Sequence, residues 1–146
     1  MALNRDFLGR SFPPSEPYEV SRVKIREFAD AIGDANPVYR DPEAAKAVGH
    51  PDVIAPPTFP IIVSLLDPGL ADPDLGLDYS MVVHGAQQFA YTRPLRAGDV
   101  ITTVTTITEI KSIGGNEKLT IETDVRTVEG ELVCKSTNTI VEREAK

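Results

Sequence analysis

Six consecutive residues carry three groups that could do chemistry together. In Gly33-Asp34-Ala35-Asn36-Pro37-Val38-Tyr39 the chain places a carboxylate, a carboxamide and a phenol between Asp34 and Tyr39. A carboxylate can take a proton, while an amide or phenol beside it can donate a hydrogen bond to a substrate. The same residue types also build turns, because Asp and Asn bond their own backbone and Pro blocks helix. Both readings stand at this point. A second group is Pro56-Pro57-Thr58-Phe59-Pro60, at the entry to an apolar run. A helix start offers N–H groups without intrahelical partners and the positive end of the dipole. Because Pro has no N–H, the donors left there are those of Thr58, Phe59 and the residues after Pro60; the alternative is a plain capped helix.

Composition narrows the classes. The chain has 146 residues, 41% hydrophobic and 25% charged, which fits one domain spanning 1–146 with an ordinary core. The net charge of −7 argues against a nucleic-acid partner. Arg93 and Arg96 are the basic residues that could offset it locally beside a phosphate-bearing ligand. Two His and one Cys do not make a zinc site of the usual kind. No apolar run is long enough to cross a membrane, and the polar start does not read as a signal peptide. The single Cys134 cannot form an internal disulfide, and a cytoplasmic protein is expected. Its strand neighbours suggest a buried structural thiol.

These residues need elements to hold them. The start reads as a short turn or helix and an extended arm through Pro13, Pro14 and Pro17, then a short strand at 18–20. Ser21 is a good N-cap, and Ile25, Phe28, Ala29 and Ile32 follow helical spacing until Gly33. Asp41-Pro42 opens a short helix that Gly49 ends. Phe59, Ile61, Ile62, Val63, Leu65 and Leu66 leave almost no polar face, the pattern of a buried helix. Residues 67–78 read as a loop. Four β-rich runs follow at about 80–92, 99–111, 117–128 and 131–142, separated by Pro94–Gly98, Gly114-Gly115-Asn116 and Glu129-Gly130. The third alternates cleanly; the second is nearly all β-branched but does not alternate in polarity. Short turns imply antiparallel neighbours. The expected fold is α+β, an antiparallel sheet wrapped around one long buried helix. His84 falls on the first run, on the face of Val82, Ala86, Gln88 and Ala90 by simple alternation, where a structural or interface role is expected.

The segment Phe28-Ala-Asp-Ala-Ile-Gly-Asp-Ala-Asn-Pro-Val-Tyr39 resembles the signature of the MaoC-like (R)-specific enoyl hydratases and 3-hydroxyacyl dehydratases, Gly-Asp-x-Asn-Pro-x-His. Tyr39-Arg-Asp-Pro-Glu-Ala-Ala matches the run after it. Ile54-Ala-Pro-Pro-Thr-Phe59 and His84-Gly-Ala-Gln-Gln-Phe-Ala-Tyr-Thr-Arg-Pro-Leu-Arg-Ala-Gly-Asp99 are most similar to the N-terminal, dehydratase-like subgroup. The resemblance covers about residues 5–142. It implies a single hot-dog fold, dimeric assembly with sites near the interface, and hydration of a 2-enoyl thioester, or its reverse, on coenzyme A or acyl carrier protein, without a metal or other cofactor. It implies Asp34, Asn36 and position 39 as catalytic, and Pro57, Thr58 and Phe59 as binding the substrate and polarising its carbonyl.

One residue departs from the signature: the family's His is Tyr39. A phenol with a pKa near 10 is only about 0.1% ionised at neutral pH, so it moves a proton poorly where imidazole moves it well. Three readings follow. The chain is the substrate-binding half of a two-chain dehydratase with a catalytic hot-dog partner. Or it is an active homodimeric hydratase using Asp34. Or it is a non-catalytic module that holds an acyl thioester.

Overall fold

The computed structural model describes residues 2–64 and 67–145. The short turns produce an antiparallel meander. Strands β1 (Tyr18–Glu19), β2 (Val82–Tyr91), β3 (Val100–Ile113), β4 (Asn116–Thr127) and β5 (Leu132–Glu142) form one sheet in the order β1-β3-β4-β5-β2. Every pairing is antiparallel. β3 and β4 join through two residues, Gly114 and Gly115, both at positive φ, as tight hairpin loops require.

Helix α1 (Arg22–Ala31) is capped by Ser21, whose hydroxyl accepts from the Lys24 N–H at 3.1 Å. It buries Ile25 and Ala29 against the sheet; Val23 and Ile32 stay exposed. Helix α2 (Pro42–Ala47) starts at the Asp41 cap. The apolar run contains helix α3, Ile61–Ser64. Leu65 and Leu66, the last residues of the expected buried helix, lie outside the described residues. α3 touches β3, and Ser64 bonds Ser136 of β5 at 3.3 Å. β4 lies between those two strands, so the sheet curls around this segment. The expected α+β layout is what the chain adopts, but among the described residues α3 is a four-residue helix with Ile61, Ile62 and Val63 half-buried, not the long helix buried all round that the apolar run suggests.

β4 alternates as its sequence indicates, with Leu119, Ile121, Thr123, Val125 and Thr127 buried. β3 alternates too, although its polarity does not. Thr103 and Thr105 point inward, and the Thr105 hydroxyl meets that of Thr123 at 3.2 Å. A paired threonine can occupy a buried position that a polarity count assigns to solvent.

The N-terminal arm covers the outer edge of β3. N–H groups of Gly9, Phe12 and Ser15 donate to the carbonyls of Ile107, Thr105 and Thr103 at 2.8–2.9 Å. Pro13 and Pro14 sit between those pairing positions, where no donor is needed. Phe7 and Phe12 join Ile107, Leu119 and Ile121 in one core cluster; Tyr39, Val53, Phe59, Leu95 and Ile101 belong to the other. The opposite edge is β2, which has no strand beyond it among the described residues. Its sequence, Val-Val-His-Gly-Ala-Gln-Gln-Phe-Ala-Tyr, contains no Lys, Arg, Asp, Glu or Pro, the residues that usually guard a free edge.

Candidate functional site

The end of α1 sets the position of Asp34. Gly33 adopts φ +73°, its N–H donates to the Asp30 carbonyl, and the Asp34 N–H reaches back to Ala29 at 2.9 Å. This is the two-bond glycine stop of a helix C-terminus. Asp34 Oδ1 then accepts from the Asn36 N–H at 3.0 Å, and Asn36 Oδ1 accepts from the Val38 N–H at 3.1 Å, capping the 3-10 turn Pro37–Tyr39. Each side chain thus spends one oxygen on the turn. Arg40 ties the loop down: it donates to the Asp34 carbonyl at 2.6 Å and pairs with the Asp30 carboxylate.

That turn drives Tyr39 into the core, where it is 8% exposed. Its hydroxyl makes no hydrogen bond among the described residues, and Tyr39 lines a pocket of about 270 Å³ with Ile54, Ala55, Pro57, Tyr91 and Pro94. Burial, and then the nearby Asp34 charge, hold the Tyr39 phenol above its ordinary pKa. Both effects disfavour phenolate, so at neutral pH Tyr39 is a donor and not a base. The Tyr91 hydroxyl donates to the Pro57 carbonyl at 2.6 Å, joining β2 to the turn before α3. Burial, Cys134 and Tyr39 raise the Tyr91 pKa far above its usual value. Burial also pushes the Cys134 thiol up to about 11, which leaves it protonated and unreactive.

Of the second group, Pro57 lines this pocket and Thr58 is exposed beside it. The Phe59 N–H is used by the Pro56 carbonyl at 2.9 Å, and the Ile61 N–H by that of Thr58 at 3.1 Å. The Thr58 N–H is the one donor of this stretch without a partner among the described residues. The Phe59 ring is fully buried and meets Phe28 edge-to-face at 5.4 Å. It supports the site from the core side. The turn thus brings Tyr39 and Pro57 to one pocket; Asp34, whose charge acts on the Tyr39 phenol, and the exposed Asn36 do not line it.

Two sequence expectations change. Arg93 lines the pocket, but its guanidinium is held by Asp99 at 2.9 Å and Glu131 at 3.0 Å, and both carboxylates raise its pKa. Its charge is already matched, so it is not free for a phosphate. His84 does not share a face with Ala86, Gln88 and Ala90. A bulge between His84 and Ala86 shifts the register, so His84 opposes Ile140 and Gln87 opposes Asn138. Val82, His84, Gln87, Phe89 and Tyr91 therefore point inward together. Tyr91, the pocket residue that spacing missed, is found only once that shift is known; Gly85 inside the strand was its one sequence signal.

Comparison with known proteins agrees with this geometry. A family model described as FAS1-like, dehydratase domain region, matches residues 6–136. A UPF0336 protein of Thermobifida fusca is 61% identical over 98% of this chain and 95% of its own length. One from Streptomyces avermitilis is 55% identical over 100% and 99%. Among solved structures, the C-terminally truncated HadBC (3R)-hydroxyacyl-ACP dehydratase complex of Mycobacterium tuberculosis has a chain that superposes with a TM-score of 0.83 at 27% identity. That match covers 95% of this chain and 99% of that one. A MaoC-like dehydratase superposes at 0.85 and 27% identity over 95% of this chain but 43% of its own. The chain therefore belongs to the FAS1-like dehydratase family and has the hot-dog fold of the MaoC-like dehydratases.

Proposed function

We propose that this chain is the substrate-binding half of a 3-hydroxyacyl-thioester dehydratase, completed by a second hot-dog chain that carries the imidazole. The observation that carries the reading is Tyr39. It stands where the family signature has His, it is buried, and Asp34 and burial both hold its phenol protonated. A group that neither accepts a proton at neutral pH nor has an imidazole beside it does not run the acid–base step. The pocket walls, mostly Ile54, Ala55, Pro57, Pro94 and the two tyrosine rings, suit an acyl chain. The Thr58 N–H, next in the chain to the pocket residue Pro57 and without a partner among the described residues, is the donor this reading assigns to the thioester carbonyl.

Two further observations support a partner. The uncharged free edge of β2 is a template for another strand. The HadBC neighbour is a complex, and the MaoC-like neighbour is a chain more than twice this length. The substrates proposed are acyl chains on coenzyme A or acyl carrier protein, handled in the cytoplasm. The test is to co-express the chain with hot-dog chains that keep Asp and His in the signature, purify any pair, and assay hydration of a 2-enoyl thioester. Turnover by the pair and none by either chain alone is expected. Full turnover by the isolated chain, lost in Asp34→Asn, would replace this reading with the homodimeric hydratase.

A further inference from the structure

A cleft of about 250 Å³ opens where β2 begins, with Leu70, Ile121 and Ile140 as apolar wall and Tyr79, His84 and Asn138 as polar lining. Among the described residues, the lining holds no Asp, Glu, Lys or Arg. The chain does not close this cleft over. Tyr79 is 49% exposed, and His84 is exposed although it points to the inner face of the sheet. On the same face of β4, Leu119, Ile121, Thr123 and Val125 are buried. Asn138 is the exception in the lining. It is 2% exposed, and its Oδ1 is buried without a hydrogen-bond partner among the described residues. A buried polar atom left unmatched is costly, and an apolar side chain of similar size would fit the same inward position. A group from outside the chain accounts for the amide. The cleft also borders the free edge: Val82 and His84 belong to β2, which has no strand beyond it among the described residues and carries no charge.

We propose that this cleft is the docking pocket for the second hot-dog chain, which fills it with an aromatic side chain that carries a hydroxyl, a tyrosine in kind. The lining selects that occupant. Leu70, Ile121 and Ile140 take the ring, as apolar pockets take aromatic anchors at interfaces. The hydroxyl both donates and accepts, so it matches the Asn138 amide whichever end of that amide faces the cleft. A Lys or Arg would enter a lining without a carboxylate and leave its charge unmatched. The free edge sets the place, because a strand added to β2 carries its side chains past Val82 and His84 at the mouth. Edge pairing alone is open to many strands; a pocket beside the edge reads one side chain and so gives specificity. The inference rests on the two-chain reading above and adds which residues of this chain choose the partner.

The experiment takes the full chain with the co-expressed hot-dog chain that keeps Asp and His in the signature, and measures the affinity of the pair by sedimentation. Asn138→Leu, similar in size and without polar atoms, leaves the partner's hydroxyl unmatched and should weaken the pair about tenfold. The isolated Asn138→Leu chain should melt at the same temperature or higher, since no hydrogen bond within it is lost. Tyr79→Glu, at an exposed position on the mouth, is the second variant and should also weaken the pair by setting a charge against the incoming ring. A lower melting temperature for isolated Asn138→Leu with the pair unchanged assigns the amide to the chain's own fold and overturns the pocket. So does an affinity that neither variant changes, or the absence of any pair. Self-association of this chain, weakened by both variants, puts a second copy in the cleft and overturns the choice of partner. Assaying the same pairs for hydration separates the two claims. Turnover by a pair whose affinity ignores both variants removes the pocket and keeps the dehydratase reading; a pair that depends on Asn138 but hydrates no enoyl thioester does the reverse.

Discussion

Replacing Tyr39 by Phe and by Ala separates a packing role from a chemical one. Tyr39 is 8% exposed within the cluster of Val53, Phe59 and Leu95 and lines the pocket, and its hydroxyl has no hydrogen-bond partner among the described residues. Removing the oxygen alone breaks no hydrogen bond and leaves the ring in place. Tyr39→Phe is therefore expected to change stability by no more than about 0.5 kcal/mol. Removing the whole ring leaves a cavity that the surrounding side chains fill only in part. Tyr39→Ala should cost about 3–5 kcal/mol, lowering the melting temperature by roughly 10 °C for a domain of this size. Urea unfolding gives the free energies, and hydration of an enoyl thioester by the purified pair gives the activity. Tyr39→Phe should retain activity within about twofold, since no proton passes through the phenol. A folded Tyr39→Phe chain whose pair loses about 100-fold or more would make the phenol the catalytic acid and refute this reasoning.

Other expectations follow from named contacts. Arg93→Met leaves Asp99, whose side chain is 9% exposed, without its counter-charge; this should cost about 3–5 kcal/mol by urea unfolding, and much of it should return in the double variant with Asp99→Asn. For Glu117, burial works against ionisation, but hydrogen bonds from Ser112, the Leu3 N–H and Arg5 hold its carboxyl below the usual range. Its folded pKa is lower than its unfolded one, so its contribution is complete above about pH 5 and fades as pH falls through the folded value. Glu117→Gln should flatten that part of the acid unfolding profile. Ala86→Lys puts a charge on the free edge of β2; the chain should keep its own stability within about 0.5 kcal/mol, while the pair separates in size-exclusion chromatography.

The elements were legible where local chemistry decides them. Ser21, Gly33 and the Asp41-Pro42 pair bound α1 and start α2 at the expected residues, because caps act within one turn. Gly114-Gly115 placed the β3–β4 hairpin for the same reason. What was not legible depends on partners distant in sequence. Thr103 and Thr105 face the core because β4 supplies Thr123 opposite. The His84 face was misjudged because one extra residue at Gly85 reverses alternation, and only the ladder to β5 reveals it. The Arg93 charge is matched by Asp99 and by Glu131, 38 residues away, a pairing that only the fold brings about. Of the residues read by type and spacing, Tyr39 and Pro57 line the pocket, while Asp34 and Asn36 build the turn before it and do not line it. Their local hydrogen bonds show that turn-building and site-building are the same residues at work: the Asp34 and Asn36 caps are what deliver the Tyr39 ring to the pocket.

The division of labour between two chains is tested most directly by reconstitution. The purified chain is mixed with a hot-dog partner that carries Asp and His, and hydration of an enoyl thioester is followed with Asp34→Asn introduced in this chain alone and then the matching Asp replaced in the partner alone. Turnover only in the mixture, indifferent to Asp34→Asn here and abolished by the partner's change, is the predicted result. Turnover by this chain without a partner, abolished by its own Asp34→Asn, would contradict it.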